Sequence, residues 1–137
     1  MSRWARVSGG LIILLGLAHL ALAVPDGVRA VAPLPREDAA ALIMADIVTA
    51  VAVLLAGWLM LQGASGLGRA ERWARTVVSS AGGFMVLVGV GYILATLGNP
   101  FAYVALLVAL SSLVPPFLAS RRSGGEPSRG PQGPRRA

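Results

Sequence analysis

The chain has no cysteine, no lysine and a single histidine among its 137 residues, and only six residues are acidic. The lack of cysteine excludes disulfides, thiolate catalysis, iron–sulfur clusters and cysteine-based zinc sites. One histidine per chain cannot build a multi-histidine metal site within one protomer. Charged residues make up 13% of the chain, against about 25% in soluble domains. This composition is typical of a protein that keeps most of its length in an apolar environment.

Four long segments are almost free of charge. They span residues 7–24, 39–62, 76–98 and 101–120, and the only charged residue inside them is Asp46. Each approaches or exceeds the roughly 20 apolar residues that cross a hydrocarbon core, and none has the polar stripe of a helix in a soluble bundle. We therefore predict an all-α integral membrane four-helix bundle over residues 1–120, which interacts directly with the lipid bilayer.

The C-terminal segment has a different composition. Residues 121–137 consist mainly of Arg, Gly, Pro and Ser. Such a segment cannot bury enough apolar surface to offset the entropy of ordering it. We predict a disordered basic tail.

The arginines predict the orientation. Ten of the 12 lie before the first segment, between the second and third, or after the fourth. The positive-inside rule then places both termini in the cytoplasm, and Trp4, Trp58 and Trp73 lie near the same boundary, where indoles prefer to sit. The Arg-, Ala- and Gly-rich composition favours a bacterial cytoplasmic (inner) membrane. An alternative is a secretory signal cleaved after Ala23, which leaves three spans in the same orientation.

Two ionisable residues lie within the predicted spans, and such residues mark functional sites by default because they are costly to leave unpaired in a membrane. At 1.5 Å per helical residue, His19, Asp46 and Tyr92 all lie about 8 to 10 Å from the outer ends of their spans. Three helices thus place polar side chains in one layer. We predict an outward-opening polar pocket whose candidate ligand-binding residues are His19, Asp46, Thr49, Tyr92, Thr96 and Asn99. The competing interpretations are a structural His–Asp hydrogen bond and, for Asn99, a simple turn.

Other chemistries are disfavoured. A Ser-His-Asp triad needs a serine at the depth of His19, whereas the serines of spans three and four lie deeper or near the inner ends. Neither a phosphate-binding loop nor a metal-spacing cluster is present, and the arginines lack the context of a nucleic-acid-binding surface. We therefore predict neither a metal nor a nucleic-acid partner. Haem ligation would need His19 and a second axial ligand from another chain.

The layout resembles the DoxX-like group of small bacterial four-helix membrane proteins over residues 6–120. The resemblance lies in the Gly16-Leu17-Ala18-His19-Leu20 end of the first span, a Pro-containing outer loop, and Ala45-Asp46-Ile47 in the second span, followed by a Gly-Arg inner loop. That group more often has lysine and glutamate where this chain has His19 and Asp46. The resemblance implies a helper subunit of membrane redox or quinone-linked systems.

Three functions remain open at this point. The preferred one is an accessory or binding subunit whose pocket takes a lipid-like or quinone-like ligand, or which serves a partner membrane enzyme. The second is a membrane enzyme that uses His19 and Asp46 as an acid–base pair on a lipid-soluble substrate. The third is a dimeric, proton-coupled transporter of small molecules.

Overall fold

The computed structural model describes residues 2–95 and 100–123, which are helical apart from two short connections and include no strand. Helix α1 (Ser2–Ala18), a π-helical turn (His19–Ala23) and α2 (Val24–Ala30) follow one another without a break. Helices α3 (Arg36–Gly68), α4 (Arg72–Ala95) and α5 (Pro100–Ser123) follow. The first three residues of the predicted disordered tail, 121–123, are helical and belong to α5, which corrects the predicted boundary. The rest of that tail and the predicted site residues Thr96 and Asn99 lie outside the described residues.

Three of the four helical segments are long and apolar enough to cross a membrane: Ser2–Ala30, Arg36–Gly68 and Arg72–Ala95. The fourth, α5, contains the shorter apolar stretch Tyr103–Val114. All four helices extend beyond the apolar windows at one or both ends, because polar residues continue the helical hydrogen bonding. The all-helical prediction is confirmed for the described residues.

The first predicted span ends at residue 24, so the Pro-containing outer loop is expected to occupy residues 25–38. The structure corrects this expectation. The helix continues to Ala30, and the connection covers only residues 31–35. In a regular α-helix the Pro25 ring would collide with the carbonyl of Ala21. The π-helical turn that precedes it is wider, and the backbone N–H of Val24 donates to the carbonyl of His19 five residues back. The proline is thereby accommodated without ending the helix.

The helices form an up-down-up-down ring in which each packs against its neighbours, α1 on α3, α3 on α4, α4 on α5 and α5 on α1. Small residues line the contacts. A Cβ added to Gly9 would lie 2.9 Å from the carbonyl oxygen of Gly57, and one added to Gly57 would lie 2.9 Å from that of Gly9. Helices α1 and α3 therefore meet backbone to backbone, as small residues permit in membrane bundles.

Side-chain size is inverted relative to a soluble protein. The interior is rich in alanine, and Ala5, Ala50, Ala64 and Ala109 are fully buried. Large aliphatic side chains point outward, with Leu87 73% exposed. Contiguous apolar surface of this kind suits a lipid environment.

Helix α5 has a face of small residues, since Ala105, Ala109 and Ser112 are all buried. The same helix contains Pro115 and Pro116, which have no N–H to donate to the carbonyls of Ser111 and Ser112. The two serine hydroxyls bond elsewhere: Ser111 Oγ donates to the Val108 carbonyl and Ser112 Oγ to that of Ala109.

The indole of Trp4 supplies one of the hydrogen-bond donors that the prolines lack. Trp4 Nε1 donates to the carbonyl oxygen of Ser111 across 3.1 Å. In a regular helix that carbonyl would accept from residue 115, which is a proline and has no N–H. Because an unsatisfied carbonyl is expensive in lipid, the first turn of α1 completes the hydrogen bonding of α5 and closes the ring.

The connection between α3 and α4 is tied down at the arginine-rich end. Ala70 has a left-handed φ of 58°, and the N–H groups of Ala70 and Glu71 donate to the carbonyls of Leu67 and Gly66, which is a Schellman motif. Arg69 Nε donates to Glu71 Oε1 across 2.5 Å, and Trp73 Nε1 donates to Oε2. The hydrogen bond from Arg69 lowers the pKa of Glu71, so this contact is present above the ordinary glutamate range and is lost as pH falls through the lowered pKa.

We predict that Trp4→Phe lowers the free energy of unfolding by about 1 kcal/mol, because the Ser111 carbonyl loses its donor. In a Pro115→Ala background, residue 115 supplies an N–H and the same substitution costs less. A double-mutant cycle, measured by unfolding in mixed micelles, isolates this coupling.

Trp58→Phe is the matched control, since Trp58 is equally exposed and its cost is expected to be the same in both backgrounds. Equal costs of Trp4→Phe with and without Pro115 would contradict the assignment.

Candidate functional site

The contact between α1 and α3 sets the register of the site. The two helices are antiparallel and meet at Gly9 and Gly57. His19 lies ten residues after Gly9, and Asp46 lies eleven residues before Gly57. At 1.5 Å per residue, both positions are about 15 Å from the crossing, toward the end opposite the arginine-rich connection. The packing that brings the glycines together therefore also brings these two side chains together.

His19 and Asp46 are directly hydrogen-bonded, with 2.8 Å between Nε2 and Oδ1. Their side chains are 18% and 34% exposed, so both remain partly accessible. His19 opens the π-helical turn, and its carbonyl accepts the turn's closing hydrogen bond. Single-turn π-helices occur frequently at functional sites. The structure thus brings these two predicted site residues into direct contact.

Tyr92 of α4 joins the same layer. Its ring centroid lies 6.1 Å from that of His19, and the ring planes are inclined at 77°. This edge-to-face arrangement is a favourable geometry for aromatic rings. Together with the hydrogen bond to Asp46, it holds the imidazole in one orientation.

Thr49 also reaches the layer, one turn along α3 from Asp46. Its hydroxyl donates to the carbonyl of Ala45 in its own helix, across 2.8 Å. The hydroxyl proton is therefore used locally, and its oxygen remains suited to accept a hydrogen bond. Thr96 and Asn99, the remaining predicted members, lie outside the described residues.

A cavity of about 500 Å³ opens between the helices at this level, within the range typical of small-molecule sites. Most of its wall is apolar, and five of the residues that form it are Leu15, Val53, Met85, Val88 and Ala105. Among the described residues, the polar side chains on the wall are those of His19, Asp26, Thr49 and Tyr92. The cavity thus has a mainly apolar lining with a few polar groups, as a site for an amphiphilic molecule requires.

A second cavity, of about 350 Å³, lies between α2 and α3. Asp46 lines this cavity and is not on the wall of the larger one, whereas Gly27 and Thr49 line both. A Cβ at Gly27 would lie 3.4 Å from Asp46 Oδ2, so α2 passes close over the carboxylate. The His19–Asp46 pair therefore lies in the partition between two cavities, with the imidazole facing one and the carboxylate facing the other.

Helix α2, which was not predicted from the sequence, contributes residues to the larger cavity. Asp26, Gly27 and Ala30 form part of the larger cavity, but they fall in the segment that we predicted to be a loop. Pro25 followed at once by Asp26 was a usable signal, because proline is favoured at the first helical position and acidic residues in the first turn.

The described residues contain no group of three or more His, Cys, Asp or Glu side chains that would hold a metal ion. Asp26 is paired with Arg29 at 3.4 Å on the surface. The contact shown at this level is the hydrogen bond between His19 and Asp46.

Comparisons with protein-family models, curated proteins and solved structures find no match to this chain.

We predict that His19→Ala and Asp46→Ala each lower the free energy of unfolding, and that the double variant costs less than the sum of the two. Hydrogen bonds between transmembrane helices are worth about 0.6 kcal/mol on average and up to about 1.7, so a coupling in that range is expected. The measurement is a double-mutant cycle in mixed micelles.

The control cycle pairs His19→Ala with Asp26→Ala, whose carboxylate lines the same cavity but is paired with Arg29. That cycle is expected to be additive. Additive behaviour of the His19 and Asp46 variants would show that the hydrogen bond has no net effect on stability.

Proposed function

We propose that this chain is a four-span integral membrane protein of a bacterial cytoplasmic membrane with both termini in the cytoplasm. Three helices have the required length and composition, and α5 is antiparallel to α4 and completes the ring. The arginine-rich connection between α3 and α4 favours the cytoplasmic side by the positive-inside rule. The His19 layer then lies in the outer leaflet.

Its function, in this proposal, is to bind a lipid-like or quinone-like molecule as an accessory subunit of a membrane system. The observation that carries the proposal is the cavity of about 500 Å³ with a mostly apolar wall and an oriented imidazole on it. An apolar tail suits the aliphatic wall, and a polar head group suits the layer of His19, Thr49 and Tyr92. The resemblance to DoxX-like proteins favours the same ligand class, with a membrane enzyme or a second copy as partner.

A second candidate is a membrane enzyme that acts on a lipid-soluble substrate. The observation that favours it is the 2.8 Å contact between His19 and Asp46, which is the geometry of a general base and the group that orients it. Binding without turnover distinguishes the accessory protein from the enzyme.

The orientation has a direct test, because the chain has no cysteine. We expect Ala32→Cys to react with a membrane-impermeant maleimide in intact cells, and Gly68→Cys to react only after the membrane is permeabilised. Both positions are exposed, and a Cβ at Gly68 meets Ser2 only at an ordinary contact distance of 3.7 Å. The reverse pattern of labelling would overturn the orientation.

The ligand proposal is tested by native mass spectrometry of gently extracted protein. We expect a co-purifying amphiphile with the wild type and the loss of most of it with Val88→Phe, because the larger side chain fills part of the cavity. A loss of affinity of about tenfold corresponds to only 1.4 kcal/mol.

Val90→Phe is the matched control, since Val90 lies on the same helix but faces outward and is 41% exposed. It is expected to keep the ligand. Wild-type protein that carries no small molecule, and binds neither a decyl-chain benzoquinone nor its quinol, would contradict the proposal.

A further inference from the structure

The two nitrogens of His19 have different surroundings. Nε2 is bonded to Asp46 Oδ1 at 2.8 Å. Nδ1 has no hydrogen-bond partner among the described residues, and within that part of the chain no side-chain nitrogen or oxygen is both buried and without a partner. Nδ1 is therefore accessible, on a side chain that lines the larger cavity. The ring that carries this nitrogen therefore forms part of the cavity wall.

The partner of Nε2 determines what Nδ1 can do. A carboxylate only accepts hydrogen bonds, so the contact with Asp46 requires a proton on Nε2. In the neutral imidazole the other nitrogen is then an acceptor. Asp46 is not on the wall of the larger cavity, whereas His19 is, and α2 passes close to the Asp46 carboxylate. The hydrogen bond to Asp46 therefore makes Nδ1 an acceptor on a ring that lines this cavity.

The remaining charged or titratable groups around the imidazole do not reverse this arrangement. Asp26 of α2 lines the cavity but is paired with Arg29 at 3.4 Å. Tyr92 of α4 meets the imidazole with its ring, edge to face. The described residues of α5 on the cavity wall contribute Ala105, which has no polar side chain. Asp46 is thus the one described group bonded to the ring.

We propose that the His19–Asp46 pair makes the larger cavity selective for the reduced, hydroxyl-bearing form of a quinone-like ligand over its oxidised form. This rests on the proposed function. A quinol hydroxyl donates to Nδ1, whereas a quinone carbonyl at the same position brings two acceptors together. Asp46 acts as a positioning residue, because it fixes the tautomer without contacting the ligand.

The magnitude follows from ordinary hydrogen-bond energetics. A hydrogen bond between neutral groups corresponds to a factor of about 2 to 12 in affinity, and an unmatched pair of acceptors adds to the difference. We expect the decyl-chain benzoquinol to bind about tenfold more tightly than the corresponding benzoquinone. The comparison is made anaerobically on the full chain in nanodiscs, so that the quinol stays reduced.

The single histidine allows the tautomer to be observed directly. With ¹⁵N-histidine labelling, each nitrogen signal in the spectrum belongs to His19. We expect Nε2 to be protonated and Nδ1 unprotonated, and Nδ1 to shift on addition of the quinol. A proton on Nδ1, or on both nitrogens, in the ligand-free wild type would overturn the inference whether or not a ligand binds.

Asp46→Asn tests the positioning role at nearly constant shape. An asparagine amide donates as well as accepts, so Nε2 can lose its proton and Nδ1 can become a donor. We expect the preference for the quinol to fall to about twofold or less, together with a change in the nitrogen spectrum. Asp38→Asn is the matched control, because Asp38 lies on the same helix as Asp46, is exposed and lines neither cavity. It is expected to keep both the preference and the spectrum.

The outcomes separate the two proposals. Equal affinity of the wild type for the two probes, or a preference that survives Asp46→Asn, overturns the selectivity while ligand binding stands. Failure of both probes to bind overturns the selectivity, and it overturns the proposed function as well where no small molecule co-purifies with the wild type. Should Asp46→Asn fail to fold, the wild-type spectrum and the wild-type ratio of affinities still decide the inference. Support requires the tenfold ratio together with a proton on Nε2.

Discussion

The backbone contact of α1 with α3 at Gly9 and Gly57 determines the geometry of everything above it. No side chain separates the two helices there, so their distance and register are set by the backbones themselves. A side chain at either glycine would push the helices apart. Because helices are stiff, this displacement would extend to the level of His19 and Asp46. A hydrogen bond tolerates little change in distance. The polar pair thus depends on two residues that carry no chemistry.

The same packing rule shapes the rest of the bundle. The interior is rich in alanine and glycine, with a few larger residues such as Ile12, Met60 and Met85, while many leucines and valines lie on the outside. This distribution is typical of helix bundles that pack in lipid. Close packing of small residues leaves little free volume around the level of Gly9 and Gly57. The cavities lie farther along, where the π-helical turn and α2 alter the path of the first helix.

Two prolines illustrate how the backbone is satisfied by different means. Pro25 follows a widened turn in which the hydrogen bonding shifts to five-residue spacing. Pro115 leaves the Ser111 carbonyl without its usual donor, and Trp4 supplies one from a helix that lies 107 positions away in sequence. Both solutions answer the requirement that no backbone polar group be left unpaired in an apolar environment. The first also places His19 at the head of the turn, and with it the imidazole on the cavity wall.

Composition and hydrophobic segmentation were enough to predict the helices and the layer that contains His19, Asp46 and Tyr92, because both follow from local spacing and a constant rise per residue. Three matters were decided only by the tertiary structure. The helix runs through Pro25 because a π-helical turn accommodates it, and the local pattern does not reveal this. The indole of Trp4 meets Ser111 because the ring of helices closes. Asp46 lines the smaller cavity and His19 lines the larger one. This division depends on helix rotation and on the position of α2, which are set by packing between distant segments. Residue spacing predicts depth along a helix, whereas direction around the helix axis is set by what the helix packs against.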